Sequence, residues 1–194
     1  MSATADLSLR EAADLAGVRR TDVTKAIESK VITPVSRKAR LKGGETRFVS
    51  AYAVAYFAAI RKAGLGDLPL RHKRLIANRL RAMGPALEPV EVAEGLVLDV
   101  DRLAAPLYAA ALRYTQARDA YIVSDKEILG GLPVIRGTRL SVYAIAGRLA
   151  HGETLEDMMA DYPDIPREAF EAAEMFARTH PRRGPRPHRF RDAA

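Results

Sequence analysis

Cysteine is absent from the chain, which removes disulfides, thiolate metal ligands and cysteine nucleophiles from consideration. Aromatic residues are scarce at 6%, with no tryptophan, so a core has to be built mostly from alanine and branched aliphatic side chains. No apolar run reaches the ~18 residues of a membrane-crossing helix. The opening stretch MSATADLSLR lacks the apolar centre of an export leader. The cytoplasm is therefore the expected compartment, with no membrane partner. The four histidines, His72, His151, His180 and His188, show no metal-ligand spacing with carboxylates. Asp157 and Asp161 stand four residues apart on a helical stretch, which reads as surface charge rather than a metal pair. There is no nucleophile motif with a base partner and no phosphate-binding glycine loop. No cofactor and no catalytic activity are expected.

What the chain does contain is a hydrophobic fraction of 48% in 194 residues, enough for a folded core. Abundant alanine, leucine and arginine point to a mainly helical protein. The net charge of +7 is unevenly spread. Residues 1–65 carry +6, residues 66–120 carry +1, residues 121–179 carry −4 and residues 180–194 carry +4. Basic ends attract polyanions or acidic protein surfaces, and the acidic stretch between them does not.

Ser8 with Glu11 three residues on fits a capping box. A short helix follows with Leu9, Ala12, Ala13 and Ala16 at helical spacing, and Gly17 ends it. A second helix is expected from Arg20 to Ser29, with Val23, Ala26 and Ile27 on one face. Residues 31–48 then change character, with β-branched side chains around Lys42-Gly43-Gly44-Glu45. That pattern predicts a hairpin. Ser50 is expected to cap the next helix, which carries Val54, Phe57, Ala58 and Arg61. The order helix, tight turn, helix, basic hairpin, helix is the layout of a winged helix-turn-helix. It resembles the N-terminal module of MerR-like regulators, with ADLAGVRRTDVTKAIESKVI standing where their first two helices stand.

A further helix is expected over residues 68–83, basic on one side through Arg71, Lys73, Arg74, Arg79 and Arg81, and ended by Pro85. Alternating apolar residues around Glu94-Gly95 predict a second hairpin. A long helix over residues 101–118 is expected to bend at Pro106. The unit boundary is placed near residue 120, where the charge changes sign. Beyond it, Ser141 and Thr154 start helices, Gly152 and Pro163 follow them, and a last helix runs from Arg167 to Thr179. Ala169, Phe170, Ala173, Phe176 and Ala177 of that helix face a core. Gly137-Thr138-Arg139 reads as a structural turn.

Residues 121–179 contain GGLPVIRGTR, AHGET and DYPDIP in order. This string resembles the antitoxin family catalogued as DUF433, whose pattern is a glycine-rich lead, Pro-Val-Ile-Arg-Gly-Thr-Arg, a helix ending at Gly-Glu and a helix ending at Tyr-Pro. The resemblance implies a small helix-turn-helix fold and a partner encoded alongside, a PIN-like toxin of the metal-dependent ribonuclease kind. The fold class expected is thus mainly α: an N-terminal winged helix-turn-helix over residues 1–65, and a connecting region over residues 66–120. A three-helix, helix-turn-helix-like unit covers residues 121–179, followed by a basic extended tail over residues 180–194.

Charge ranks the two helix-turn-helix units. The last helix of the C-terminal unit carries Glu168, Glu171 and Glu174, which phosphates would repel. DNA binding is therefore assigned to the N-terminal unit. Arg19, Arg20, Thr21, Thr24 and Lys25 are expected on base edges. Arg37, Lys38, Arg40, Lys42 and Arg47 of the wing are expected on phosphates. The tail HPRRGPRPHRFRDAA is too rich in proline for a helix. Arg182, Arg183, Arg186 and Arg189, with Phe190 as an apolar anchor, are the expected contacts to a toxin's carboxylate cluster. A nonspecific DNA contact and a solubilising tail are the alternatives. The functional expectation is an antitoxin that neutralises a PIN-like toxin and represses its own operon by binding operator DNA. It would act as a homodimer or a toxin–antitoxin hetero-oligomer. A stand-alone regulator and a protein-binding adaptor remain as competing readings.

Overall fold

The computed structural model describes residues 5–41, 44, 46–84 and 86–182. Within them the chain is mainly helical, with eight α-helices and three short antiparallel sheets. None of the described helices is long and apolar enough to cross a membrane.

Strand β1 (Asp6–Ser8) leads directly into α1 (Leu9–Ala16). The expected capping box closes this junction. The Ser8 hydroxyl accepts from the Glu11 amide at 3.2 Å, and the Glu11 carboxylate accepts from the Ser8 amide at 2.6 Å. Gly17, at φ 63°, ends α1 in the left-handed region, and α2 (Arg20–Glu28) follows after a tight turn. A Cβ on Gly17 would lie 2.9 Å from the Arg61 guanidinium, which itself donates to the Gly17 carbonyl at 3.2 Å. Gly17→Ala combines a left-handed backbone with that clash. We expect a loss of about 1–2 kcal/mol, read in thermal unfolding as a drop of roughly 2–8 °C in Tm.

The wing hairpin forms as expected from β2 (Val35–Ser36) and β3 (Arg47–Ser50). The sheet has a third member, because β1 pairs with the other edge of β3 to give the order β1-β3-β2. Three residues are too few for an alternating pattern to reveal a strand, so β1 was not anticipated. Its register sets Asp6 against Ser50, which corrects the expected role of Ser50. That serine is a strand residue, and α3 (Tyr52–Lys62) starts after Ala51 with no side-chain cap. Every residue of α3 from Tyr52 to Ile60 is buried, as an all-round apolar helix at the centre of a fold must be.

Helix α4 (Leu70–Met83) packs Ile76, Ala77 and Leu80 inward. The hairpin of β4 (Val90–Ala93) and β5 (Leu96–Leu98) leads into α5 (Val100–Tyr121). The long helix is one continuous element with Pro106 inside it. Pro106 lies on the exposed side, where solvent reaches the carbonyl its ring leaves unpaired. Beyond α5, β6 (Ile122–Ser124) and β7 (Pro133–Ile135) pair across a short turn. Three helices follow: α6 (Val142–Ala150), α7 (Leu155–Asp161) and α8 (Arg167–Thr179). Ser141 and Thr154 cap the first two, as expected.

Two apolar clusters hold these elements. One gathers α1 to α5 and the β4–β5 hairpin, and also takes Ala172 and Met175 from α8. The other centres on Ile145, Met158, Phe170 and Phe176. The five residues expected on the inner face of α8 are all buried. The two clusters meet along α8 and the end of α5. Arg178 of α8 also pairs with Asp14 of α1 at 2.9 Å.

Candidate nucleic-acid interface

Helix α2 buries Val23 and Ala26 against the fold. That burial turns Arg20, Thr21, Thr24, Lys25 and Glu28 outward on one arc, since successive helical residues rotate by ~100°. Arg20, Thr21 and Lys25 are exposed and Thr24 is half-buried. The Thr24 hydroxyl donates to the Arg20 carbonyl at 3.2 Å. Arg19 stands one residue before the helix. Its guanidinium pairs with Asp22 at 3.2 Å, and its amide donates to the same carboxylate at 3.1 Å. Arg19 therefore serves partly as the helix's own N-terminal closure.

The wing cations divide into two kinds. Lys38 and Arg47 are exposed. Arg37, although itself exposed, and the half-buried Arg40 pair with carboxylates of the fold. Arg37 Nε pairs with Asp6 at 3.0 Å, and the Arg37 amide donates to the Thr46 carbonyl at 2.9 Å across the hairpin. Arg40 pairs with Glu11 at 3.1 Å, donates to the Asp6 carbonyl at 2.7 Å and lies 4.6 Å over the Phe48 ring. Lys42 lies outside the described residues.

Glu11 is the hub of this arrangement. Its side chain is fully buried, and besides Ser8 and Arg40 it accepts from Tyr114 at 2.5 Å and from Arg118 at 3.3 Å. Burial alone would raise its pKa. Arg118, and then Arg40, outweigh that and hold the carboxyl below its ordinary value. Burial also pushes the Tyr114 phenol well up, reinforced by the charge on Glu11. One carboxylate thus fastens α1, the wing and α5 together. Its capping role is readable from Ser8-Leu9-Arg10-Glu11, whereas its ion pairs depend on residues far away in the chain.

A cationic row on α4 completes this side of the molecule. Arg71, Arg74, Asn78 and Arg81 recur at i, i+3, i+7 and i+10, which places them on one stripe. All four are exposed. Arg74 donates to the Ser29 carbonyl at 2.8 Å, where α2 ends, and Arg81 to the Thr33 hydroxyl at 3.3 Å. The helix contains no carboxylate. The basic side of this helix was legible in the sequence, but its seat beside the end of α2 was not.

The C-terminal elements differ in both charge and pairing. Arg148 holds Glu153 and Asp161, Arg167 holds Glu156, and Arg178 holds Glu174 together with Asp14. The Gly-Gly-Leu-Pro-Val-Ile stretch forms a single 3-10 turn (Leu129–Gly131) followed by β7. Gly130 and Gly131 both adopt positive φ, at 65° and 87°. After β7, Arg136 donates to the Ala120 carbonyl at 2.7 Å and to that of Asp119 at 3.2 Å, closing the end of α5. Gly137 turns at φ 78°. The Thr138 hydroxyl donates to the Ile135 carbonyl at 2.9 Å and accepts from the Leu140 amide at 3.0 Å, the structural turn that was expected.

Residues 122–177 match the DUF433 family, described as a protein of unknown function. The DUF433 match covers β6 to α8 and none of the α1–α2 unit. A 65-residue stretch is 40% identical to the uncharacterized protein y4eO of Sinorhizobium fredii (strain NBRC 101917 / NGR234). That stretch is 34% of this chain and 29% of the relative, so the chain matches under a third of that protein's length. An X-ray crystal structure of Rv2018 from Mycobacterium tuberculosis aligns over 89% of this chain and 98% of that one, at 16% identity and a TM-score of 0.33.

Of the expected toxin contacts, Arg182 is exposed at the end of the described chain. Arg183, Arg186, Arg189 and Phe190 lie outside the described residues.

Proposed function

We propose that the chain is a DNA-binding antitoxin whose N-terminal elements form a MerR-like winged helix-turn-helix. The observation that carries the DNA-binding part is the cationic face running from the outward arc of α2 onto the stripe of α4. Arg20 and Lys25 lie on the first, and Arg74 and Arg81 on the second, with Arg47 of the wing as a further exposed cation. In a helix-turn-helix the second helix enters the major groove while flanking cations take phosphates. Arg71 to Arg81 span ~15 Å of helix, room for more than one phosphate of a single strand. The antitoxin part is supported by the DUF433 match and by what the family resemblance implies, a PIN-like toxin as partner. Operators are read as paired half-sites, so the functional unit is a dimer or a toxin–antitoxin hetero-oligomer.

The test is fluorescence anisotropy of the full chain on duplex DNA from upstream of its own gene, titrated between ~50 and ~200 mM salt. We expect log K to fall with log[salt] at a slope of about −4 to −6, since each phosphate contact contributes about −0.9. Binding without salt dependence, or none at all, would remove the DNA-reading role. Co-expression with the neighbouring gene tests the partner. DNA binding with no co-purifying protein makes the chain a stand-alone regulator. Truncation after Thr179 then tests the tail, and undiminished inhibition of the toxin would rule out docking through it.

A further inference from the structure

A cleft of about 960 Å³ opens along α2, between that helix, the second half of α3 and the start of α4. The two stretches that build it, residues 17–29 and 56–73, are described throughout. Its size is that of a small-molecule site, which holds an organic ligand through apolar walls and a few fixed polar groups. Here the walls are Tyr56, Phe57 and Ile60 of α3, with Leu70 of α4. The Tyr56 and Phe57 rings stand edge to face, 5.2 Å between centroids. Leu70 is 47% exposed, an apolar surface that the fold itself leaves uncovered.

Two features distinguish the cleft from a gap in the packing. Tyr56 is 3% exposed, and its hydroxyl makes no hydrogen bond to a described residue. Burial alone pushes this phenol up to about 12. A buried donor without a partner costs free energy, and an acceptor on a ligand would remove that cost. The second feature is charge. Arg19, Lys25, Arg61 and Lys73 face one carboxylate among the described lining residues, Asp22, which Arg19 holds at 3.2 Å. Arg61 donates to the Gly17 carbonyl at 3.2 Å and Lys73 to the Gly66 carbonyl at 2.5 Å. Those bonds fix two loops at the rim without neutralising either cation. The Lys25 ammonium makes no hydrogen bond or ion pair with a described residue, and meets Asp22 through its charge alone.

We propose that this cleft binds a small amphipathic organic anion, a carboxylate on an aromatic or alkyl body. The body would lie on Phe57, Ile60 and Leu70. The carboxylate would accept from the Tyr56 hydroxyl and draw in the flexible Lys25 side chain. A nucleic-acid backbone would meet the cations at the rim but carries no apolar group to bury against Ile60 and Leu70. Lys25 belongs both to the cleft and to the outward arc of α2. An occupied cleft therefore takes one cation from DNA. That consequence rests on the DNA-reading function proposed above, whereas ligand binding itself does not.

The experiment is isothermal titration of the full chain with two probes, 2-naphthoate and decanoate. The controls are 2-naphthamide, which lacks the charge, and acetate, which lacks the apolar body. We expect saturable binding of at least one probe at ~1 mM or tighter, the range for a ligand of about a dozen non-hydrogen atoms. Both controls should bind about fivefold more weakly or worse. Tyr56→Phe should weaken the probe about tenfold without lowering the melting temperature, since the hydroxyl it removes has no partner in the described protein. Lys25→Gln should weaken it about two- to fivefold, as for an exposed ion pair. Leu70→Ser, which leaves net charge unchanged, should weaken it as well. Lys62→Gln, on the last turn of α3 and outside the cleft, should not. No saturable binding of either probe, or wild-type binding by both Tyr56→Phe and Leu70→Ser, overturns the proposal. Duplex DNA is titrated in parallel, with and without saturating probe. Lys25→Gln should weaken both ligands, and Tyr56→Phe only the probe. Loss of DNA binding with Tyr56→Phe and Leu70→Ser where no probe binds also overturns the proposal, because the cleft is then part of the DNA interface. DNA affinity that ignores a bound probe overturns the shared role of Lys25. Probe binding that follows the cleft variants while DNA binding is absent retains the ligand site and removes the DNA-reading function.

Discussion

Replacing Glu11 by alanine is expected to destabilise the protein by about 3–5 kcal/mol, because it removes the buried carboxylate that Arg118 and Arg40 share. Arg118 is 3% exposed and would keep only the half-exposed Asp119, at 2.8 Å, among the described carboxylates, and Arg40 is 25% exposed. The same substitution removes the acceptor for the Ser8 amide and for the Tyr114 hydroxyl. In urea unfolding the midpoint should fall by roughly 1.5–2.5 M, taking a slope of about 2 kcal/mol per molar. Glu11→Gln keeps the shape and loses the charge, so it tests the ion pairs should the alanine variant not fold. The pH dependence has a definite sign. The carboxyl is held below its ordinary value of 4.5 in the folded protein. Its stabilisation is therefore present above that value and is lost as pH falls through the lower folded pKa. Wild type should lose stability below pH 4.5 faster than Glu11→Gln does. Parallel pH profiles for the two proteins would show that Glu11 contributes through packing alone.

The parts of the fold that were legible in the sequence are those set by neighbours in the chain. Ser8 with Glu11, Thr154 with Asp157, and Gly17 each specify a helix end within four residues, and all three ends stand where expected. The inner face of α8 follows from a 3.6-residue period. What escaped is decided by distant partners. Strand β1 exists because β3 offers a free edge, and that pairing takes Ser50 away from α3. Arg118 meets Glu11 across 107 positions and Arg40 meets it across 29, separations that no periodicity reports. The wing shows the consequence for function. Five basic residues within eleven positions look equivalent in the sequence, yet of the four that are described two pair with carboxylates of the fold. Composition marks the region as basic but does not separate cations that hold the wing from cations facing outward.

That separation predicts different outcomes for alanine variants of the same basic region. Replacing Arg20, Lys25 and Arg47 together should weaken binding to upstream DNA about a hundredfold near physiological salt. It should also lower the salt slope by about 2–3, one increment for each lost phosphate or groove contact. All three are exposed, so the melting temperature should move little. Arg40→Ala should behave in the opposite way. Its guanidinium is held by Glu11 and the Asp6 carbonyl and lies over Phe48. Removing it deprives a buried carboxylate of one of its two cations and should cost about 1–3 kcal/mol, the lower end reflecting its partial exposure. Whatever DNA affinity Arg40→Ala loses, measured well below its own melting temperature, should come with an unchanged salt slope, because no phosphate contact has gone. A slope reduced by about one, with stability intact, would instead make Arg40 a phosphate ligand. The Glu11 pairing would then be a resting position that DNA displaces.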